Sequence, residues 1–291
     1  MTKEDSSFLG QFIPLHYHYN MLNDKHRMTG FQTAIEKVVS PGARVLELGG
    51  GTGVLSFFAS KNASRVWCVE KNTSLAREAA RILSLNPGGE KVEVVEADAL
   101  EYLPPEPVDV VICEMLHVGM LREKQINVIS SFKKRYLEKF RLPLPLFVPE
   151  TSFLAVQPVQ QSFDFSGYYA PVVLFQDPYC EQKETAGLGE PFVYQTIQYS
   201  EHLPEQFTWN GVLDIGSAGS MNALRFITKN ILAVLISESR AIDWFNQYMI
   251  VPLSLPVEVE KGDKIRVGFS YSAGAQLEAL AESISVSKDL H

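Results

Sequence analysis

The spacing of apolar positions changes along this chain of 291 residues. Up to about Phe140, short apolar runs alternate with segments of helical period, a pattern typical of βαβ units around a parallel sheet. The predicted strands are Arg44–Leu48, Arg65–Val69, Val92–Val95 and Val108–Ile112, and the predicted helices are Leu55–Ser60, a segment capped by Asn72 or Thr73, and Lys124–Phe140. The first half therefore predicts an α/β fold with a doubly wound, Rossmann-like sheet.

Three prolines within Leu142–Pro149 predict a linker, and helical periodicity fades after it. The second half contains short β-rich runs, which turn residues such as Lys229-Asn230 and Lys261-Gly262-Asp263 separate. The runs are Ser152–Gln157, Gly189–Tyr194, Leu224–Thr228, Ile231–Ser237, Tyr248–Leu253 and Lys264–Tyr271. This pattern is typical of an antiparallel β-sandwich or barrel. We expect two domains, residues 1–148 with the parallel sheet and residues 149–291 with a β-barrel.

Composition narrows the kind of protein without giving a function. Hydrophobic residues make up 46% of the chain and charged residues 21%, as in ordinary globular proteins. The formal net charge of -8 disfavours a nucleic-acid partner and weakly favours cationic partners. Cys68, Cys113 and Cys180 are scattered, so they predict no disulfide framework and no metal site, and a reducing cytoplasm is the expected location. Since Met1–Phe12 is polar and no run is long enough for a membrane span, we expect no signal peptide and no membrane association.

The sharpest local motif is Leu46-Glu47-Leu48-Gly49-Gly50-Gly51-Thr52-Gly53, which lies between a predicted strand and a predicted helix. Glycines let the backbone approach a ligand closely, and a helix start offers free N–H donors. A nicotinamide dinucleotide is the competing ligand, but its fingerprint needs glycine at the sixth position from Gly49, where Val54 stands. The spacing of Gly49, Gly51 and Gly53 is that of methyltransferases and predicts S-adenosylmethionine. A plain tight turn is the remaining alternative.

Three acidic residues accompany this predicted cofactor loop. Glu47 suits the ammonium end of a methionine moiety, whereas it would oppose a pyrophosphate. Glu70 ends the next predicted strand, about 20 residues beyond the first glycine, where an acid can accept both ribose hydroxyls; a salt bridge to Lys71 or Arg65 is the alternative. Asp98 follows the third strand, where such folds place an acceptor for the adenine amino group, and a plain turn residue is its alternative.

Three further segments carry a resemblance to a known family. The first is His18-x-x-Met21-Leu22-x-Asp24-x-x-Arg27, the second runs from Glu114-Met115-Leu116 to Glu123, and the third is the proline-containing linker with the β-rich half. Together with the glycine loop, they resemble the protein arginine methyltransferases over nearly the whole chain. The spacing of the first segment and the paired glutamates are more specific than the glycine motif, which many methyltransferases share.

The resemblance implies a role for each matching residue. His18 and Met21 would line the cofactor pocket on a short helix that closes over it, and Arg27 would pair with the cofactor carboxylate. Glu114 and Glu123 would grip the guanidinium of the acceptor. A guanidinium stays charged and presents a fork of N–H donors, so two carboxylates can neutralise it and orient one nitrogen toward the methyl group. For Glu123, the alternative is a carboxylate that only stabilises the start of the following helix.

The chain also departs from the family pattern. Where the family usually has Trp and then Met-Gly-Tyr after the first glutamate, this chain has Met115, Leu116, His117 and Val118. Ile242-Asp243-Trp244 stands at the place of the family's Thr-His-Trp loop. The resemblance thus implies Asp243 and Trp244 as substrate-binding residues, with Asp243 as a third negative group. The segment of about Ser166–Gly189 resembles the family's dimerisation arm, which leaves a homodimer open.

Three hypotheses about function follow. The first is a divergent protein arginine N-methyltransferase. The second is a methyltransferase for another acceptor, such as a small guanidine or amine or a different protein side chain. The third is a non-catalytic cofactor-binding protein that serves as a partner or regulator, which the presence of both Glu114 and Glu123 disfavours. In the first two, we expect the acceptor, a protein or a small molecule, to be cationic.

Overall fold

The computed structural model describes residues 15–288. The expected domains extend beyond this range at both ends, and the polar segment Met1–Phe12 lies outside the described residues. Two helices open the described chain, α1 (Leu15–Asn23) and α2 (Lys25–Val38). Between them, the Asp24 carboxylate accepts a hydrogen bond from the backbone N–H of Arg27 at 2.9 Å, as a helix cap does. This cap places Arg27 in the first turn of α2.

A five-stranded parallel sheet follows, in the order β3-β2-β1-β4-β5. Its strands and helices alternate along the chain as β1 (Arg44–Leu48), α3 (Val54–Ser60), β2 (Arg65–Glu70), α4 (Thr73–Ser84), β3 (Val92–Glu96), β4 (Val110–Cys113), α5 (Gln125–Phe140) and β5 (Leu146–Val148). The central strands are almost continuously apolar, as strands of a parallel sheet covered on both faces must be. In β1, Val45, Leu46 and Leu48 are fully buried. The predicted doubly wound α/β fold is confirmed.

The prediction of a plain linker at Leu142–Pro149 is wrong in its last part. There, β5 pairs with β4 in parallel, with Val110 opposite Leu146 and Ile112 opposite Val148. The neighbouring prolines are compatible with this place because β5 is the edge strand and pairs on one side only. Three apolar residues between prolines are too few to give a recognisable strand pattern.

The second half of the chain is antiparallel, as predicted for a β-barrel. Its strands are β6 (Thr151–Gln161), β7 (Asp164–Phe165), β8 (Tyr168–Tyr169), β9 (Leu174–Gln176), β10 (Thr185–Gly187), β11 (Phe192–Gln198), β12 (Gln206–Asp214), β13 (Gly219–Leu235), β14 (Arg240–Phe245), β15 (Tyr248–Val259), β16 (Lys264–Ser272) and β17 (Ser285–Lys288), with helix α6 (Leu277–Ser283) before the last. The larger sheet has the order β10-β6-β13-β15-β9, with β11 also paired to β6 and β14 to β13. The smaller sheet has the order β12-β16-β17.

One predicted turn in this half is wrong. Lys229 and Asn230 lie inside β13, which continues through them to Leu235. Asn230 is buried, and its carboxamide accepts a hydrogen bond from Ser152 Oγ at 2.6 Å, so the polar group is satisfied without leaving the strand. The predicted turn at Lys261-Gly262-Asp263 is confirmed, since it connects β15 to β16 and Gly262 has a φ of 96°.

Helix α2 joins the two halves. A Cβ placed on Gly30 would lie 3.2 Å from Leu232 Cδ1 on β13, so the helix approaches the strand closely. The ring of Phe31 packs 5.9 Å from the ring of Trp244 on β14, between centroids. Buried apolar residues of both halves form one continuous cluster, and a domain boundary after residue 148 therefore stays a prediction. Between residues 15 and 288, no helix is long and apolar enough to cross a membrane.

Candidate cofactor and acceptor site

The order of the parallel strands reverses between β1 and β4, and a cavity lies beyond the carboxyl ends of these strands. Ligands of open α/β sheets bind at such a reversal. The cavity has a volume of about 570 Å³, within the range of small-molecule sites. Most of the site residues that the sequence predicts line it: His18, Met21, Arg27, Glu47, Gly49, Gly51, Glu70, Asp98, Glu114 and Glu123.

The glycine loop connects β1 to α3 beside this cavity. Gly49, Gly51 and Gly53 have φ angles of 80°, 55° and 79°, in the left-handed region that side chains with a Cβ disfavour. The backbone N–H of Gly49 donates to the carbonyl of Val69 at 3.0 Å, which holds the loop against β2. Gly53 does not line the cavity. It caps α3, and a Cβ there would lie 2.9 Å from Leu83 Cδ1 on α4, so its contribution is the close packing of the loop.

Glu47 lies on β1, buried next to the loop, at 2% exposure. Its carboxylate accepts hydrogen bonds from the backbone N–H of Ser56, at 2.9 Å, and from the Ser56 hydroxyl. Burial raises the pKa of Glu47 to about 7, although the bonds from Ser56 act in the opposite direction. The carboxylate therefore fixes the start of α3 to β1 while it lines the cavity.

Glu70 connects the glycine loop to the next helix. Its carboxylate accepts from the backbone N–H of Gly51 at 3.0 Å and from that of Asn72 at 2.8 Å. The alternative of a salt bridge to Lys71 or Arg65 is wrong, because Lys71 pairs with Asp98 and Arg65 with Glu93.

Asp98 faces the same cavity from the segment after β3. It accepts from Lys71 Nζ at 2.7 Å and from the backbone N–H of Leu100 at 2.9 Å. Burial alone would raise the pKa of Asp98, but the Lys71 ammonium and the Leu100 N–H outweigh it and lower the pKa. Asp98 is thus an ionised acceptor at the edge of the cavity.

The first two helices cover the glycine loop. A Cβ added to Gly51 would lie 3.0 Å from His18 Cε1, so the His18 ring lies directly against the loop. Arg27 is 7% exposed, and its guanidinium bonds Glu114 through Nε, at 3.2 Å to Oε2, and through Nη2. Its Nη1 donates to the carbonyl of Met21 at 3.5 Å. Arg27, which is expected to meet the cofactor, thus bonds one of the two glutamates that are expected to grip the acceptor.

The loop between the two glutamates leaves β4 and ends at α5. Gly119, Met120 and Arg122 within it have φ angles of 68°, 57° and 59°. This left-handed backbone conformation is sterically unfavourable for Met120 and Arg122, which have a Cβ. Both Glu114 and Glu123 line the cavity. Burial and the charge of Glu114 raise the pKa of Glu123 to about 7, against the opposing charges of Arg122 and Lys124. The two glutamates thus line the same cavity, and the charge of one disfavours the charge of the other.

Two predicted substrate residues do not reach the cavity. Asp243 lies on β14 and pairs with Lys229 Nζ at 2.7 Å, on a partly exposed surface. Trp244 is buried and packs against Phe31. The expected third negative group is therefore absent from the described cavity lining, because the register of β14 directs Asp243 toward Lys229 of the neighbouring β13.

Sequence reasoning did not single out several residues in or beside the site. Met115 and Lys124 line the cavity, and a Cβ on Gly49 would lie 2.9 Å from Met115 Cγ. Gln125 is buried and bonds the backbone on both sides of Glu114. A glutamine at the start of an amphipathic helix gives no signal of this role in the sequence. Within residues 15–288, no group of three or more His, Cys, Asp or Glu side chains could hold a metal ion.

Comparisons with known proteins agree with this geometry. A methyltransferase-domain profile matches residues 45–136. The chain is 33% identical over 272 residues to an uncharacterised protein of Methanothermobacter thermautotrophicus, covering 92% of this chain and 97% of the relative. It is 23% identical over 331 residues to protein arginine N-methyltransferase PRMT10 of Arabidopsis thaliana, covering 92% of this chain and 83% of the relative.

A shorter match and a solved structure add to these. The arginine N(omega)-methyltransferase of Streptomyces achromogenes subsp. streptozoticus is 30% identical over 134 residues, which cover 44% of this chain and 37% of that protein. The PRMT1 enzyme–prozyme complex of Trypanosoma brucei with AdoHcy has a TM-score of 0.74 at 15% identity, over 94% of this chain and 98% of that one. At this identity, the structural match concerns the fold.

The glycine loop and the acids that follow β2 and β3, at the strand-order reversal of a parallel sheet, define the class of α/β methyltransferases. The chain belongs to the methyltransferase-domain family, as a divergent member that resembles the protein arginine methyltransferases.

Proposed function

We propose that this protein transfers a methyl group from S-adenosylmethionine to a guanidinium nitrogen of a protein or small-molecule acceptor. The observation that supports the proposal most is the pair of glutamates, Glu114 and Glu123, at one cavity. Two carboxylates that line one cavity repel each other, and a cation that binds between them relieves this repulsion. The guanidinium of Arg27 already bonds Glu114, so a group of this chemistry fits this carboxylate.

The nucleoside end of the cofactor would bind along the glycine loop. A Cβ on Gly50 would overlap with Cys68 Sγ, so only a glycine lets the loop lie this close to β2. Glu70, beside Gly51, would accept the ribose hydroxyls, and Asp98 would accept the adenine amino group. These residues fit the cofactor because a nucleoside without phosphate brings hydroxyl and amino donors to a site lined with carboxylates.

The methionine end would lie between the loop and the first helices. His18 and Met21 would cover it, Arg27 would pair with its carboxylate, and Glu47 would face its ammonium group. Arg27 would then be shared between the cofactor carboxylate and Glu114, since its guanidinium offers five N–H donors. This sharing would place the cofactor next to the acceptor site.

The acceptor side of the reaction depends on the two glutamates. When bound, S-adenosylmethionine supplies a methyl group that its sulfonium activates for transfer. Glu114 and Glu123 would hold the acceptor guanidinium so that one nitrogen faces that methyl group, and such positioning supplies much of the rate of a displacement. The methylated nitrogen loses one proton. Glu123 can take up this proton near neutral pH, because burial and Glu114 raise its pKa to about 7.

The transfer of an isotopically labelled methyl group to a panel of acceptors tests this function. The panel contains an arginine peptide, free arginine, and the same peptide with lysine or histidine in place of arginine. We expect label on arginine-containing acceptors, with the methyl group on a guanidinium nitrogen by fragment mass spectrometry. Transfer to lysine or histidine alone would contradict the guanidinium assignment, and a protein that binds the cofactor but labels nothing in the panel or a cell lysate would favour the non-catalytic hypothesis.

A homodimer is the assembly that we propose. The hairpin β7–β8, whose second strand lies in the segment that resembles the dimerisation arm, exposes the rings of Phe165, Tyr168 and Tyr169. Exposed apolar groups in one place are typical of protein contacts. Sedimentation at micromolar concentration should give a dimer for the wild type and a monomer for the double variant Tyr168→Ser, Tyr169→Ser. A monomeric wild type would contradict the proposal.

A further inference from the structure

Gln125 is the first residue of α5, two positions after Glu123, and its side chain is buried at 1% exposure. Its amide group bonds the chain on both sides of Glu114. The Nε2 group donates to the carbonyl of Cys113 at 2.8 Å, and Oε1 accepts from the backbone N–H of Met115 at 2.9 Å. One side chain thus connects the segment of the second glutamate to the backbone of the first.

These two hydrogen bonds are the ones that a neighbouring parallel strand would make. In a parallel ladder, a residue donates to the carbonyl before, and accepts from the N–H after, the residue that it faces. The register of β4 with β1 ends at Cys113, and that with β5 ends at Ile112. Beyond these pairs, the Gln125 amide makes the same two bonds around Glu114. The backbone of Glu114 is therefore held as if it still belonged to the sheet.

The β-barrel half holds the rest of the loop. Asn246 Nδ2 donates to the carbonyl of Leu116 at 3.2 Å, and Thr228 Oγ1 accepts from the backbone N–H of Gly119 at 2.8 Å. These buried contacts act two and five positions beyond Glu114, and they fix the middle of the loop. The contacts of Gln125 act on the backbone immediately before and after Glu114, and Gln125 itself is two positions from Glu123.

We infer that Gln125 is a positioning residue for the methyl-acceptor site, which fixes the Glu114 carboxylate relative to that of Glu123. This inference rests on the proposed function, since it assigns the two glutamates to the acceptor. A side chain of similar size without an amide would fill the space but would leave the Met115 N–H and the Cys113 carbonyl unsatisfied. The two carboxylates would then lose their fixed separation, and a planar guanidinium could no longer bond both.

The variant Gln125→Met tests the inference, with Gln161→Met as a matched control. Gln161 is also buried and also hydrogen-bonded through its amide, to Ser162 and Thr185, but it does not line the cavity. The probe is the peptide Gly-Arg-Gly, titrated calorimetrically into protein saturated with S-adenosylhomocysteine. For Gln125→Met, we expect the Kd of the peptide to rise tenfold or more and the Kd of S-adenosylhomocysteine to change less than threefold. For Gln161→Met, we expect neither to change.

Amide hydrogen exchange at Met115 gives a readout that needs no acceptor. Its protection should fall at least tenfold in Gln125→Met, whereas Gln125→Glu, which retains the acceptor oxygen, should keep it. If the wild type binds Gly-Arg-Gly and Gln125→Met binds it equally well, Gln125 has no positioning role, and the proposed function stands. If the wild type binds no guanidinium probe, the proposed function is wrong, and the acceptor role of Gln125 is overturned with it.

Discussion

Arg27 and Glu114 form an ion pair across 87 positions of sequence, and both side chains are about nine-tenths buried, at 9% and 10% exposure. The pair joins the helix that covers the glycine loop to the end of β4, which is followed by Glu114. Breaking a buried pair by removing one partner costs about 3–5 kcal/mol. In the proposed function, the cofactor carboxylate would bind to one member of this pair, Arg27, and the acceptor guanidinium to the other, Glu114.

Removal of this guanidinium should weaken both stability and cofactor binding. In Arg27→Ala, we expect the free energy of unfolding to fall by about 3–5 kcal/mol and the Kd of S-adenosylhomocysteine to rise at least tenfold. Chemical denaturation and calorimetry measure these two quantities. Arg77→Ala, an exposed arginine on α4, should change neither. An unchanged cofactor affinity in Arg27→Ala would remove Arg27 from the cofactor site.

Glu70 should contribute to the affinity for the cofactor. Glu70→Ala removes the acceptor for the ribose hydroxyls and the bond to the Gly51 N–H, so S-adenosylhomocysteine binding should weaken by about 1–3 kcal/mol. Glu96→Ala, at the exposed end of the neighbouring strand, is the control and should bind normally. Calorimetry of the wild type with NAD should give no binding. Binding of NAD without binding of S-adenosylmethionine would overturn the cofactor assignment.

Acceptor binding should depend on pH through Glu123. Its pKa is raised to about 7 by burial and by Glu114, so the carboxyl group is protonated below this pH and charged above it. The affinity for a guanidinium should therefore rise as the pH increases from 6 to 8 and level off above. His117 does not contribute in this range, because burial lowers its pKa to about 4. Titration of Gly-Arg-Gly at several pH values with saturating S-adenosylhomocysteine should give this rise in the wild type and a much smaller one in Glu123→Gln, where Glu47, whose pKa burial also raises to about 7, is the carboxyl group of the cavity that still titrates in this range.

Asp243 should have no role in acceptor binding. Its ion pair with Lys229 is partly exposed on both sides, and such pairs contribute about 0–1 kcal/mol. Asp243→Asn should therefore leave the KM of the acceptor within twofold of the wild type and should change stability by less than about 1 kcal/mol. A KM that rises tenfold would bring Asp243 back to the acceptor site.

The sequence is sufficient to predict the parallel sheet and most of the cavity lining for a physical reason. Strand ends of a parallel sheet meet at one edge, so residues that follow separate strands, such as Glu70, Asp98 and Glu114, converge there without knowledge of the packing. Local capping is also readable, and Asn72 Oδ1 accepts from the N–H of Leu75 at 2.9 Å as predicted.

What could not be predicted depends on partners that are distant in sequence. Asn230 looks like a turn residue until Ser152 and Asn246 provide hydrogen-bond partners inside the barrel. The family resemblance implies a substrate-binding role for Asp243, but strand register decides which way its side chain faces. Gln125 gains its role only when the fold brings its amide to both sides of Glu114.

The most direct test of the acceptor role of the two glutamates is the turnover of the variants Glu114→Gln and Glu123→Gln. Each keeps the shape of the side chain and removes the charge that would hold the acceptor cation. We expect kcat with the true acceptor to fall on the order of 100-fold or more in both variants, while Glu123→Gln binds S-adenosylhomocysteine like the wild type. Glu138→Gln, an exposed position on α5, should keep full turnover. Near-normal turnover in both glutamine variants would contradict the account, because these glutamates would then be no more than loop and helix-start residues.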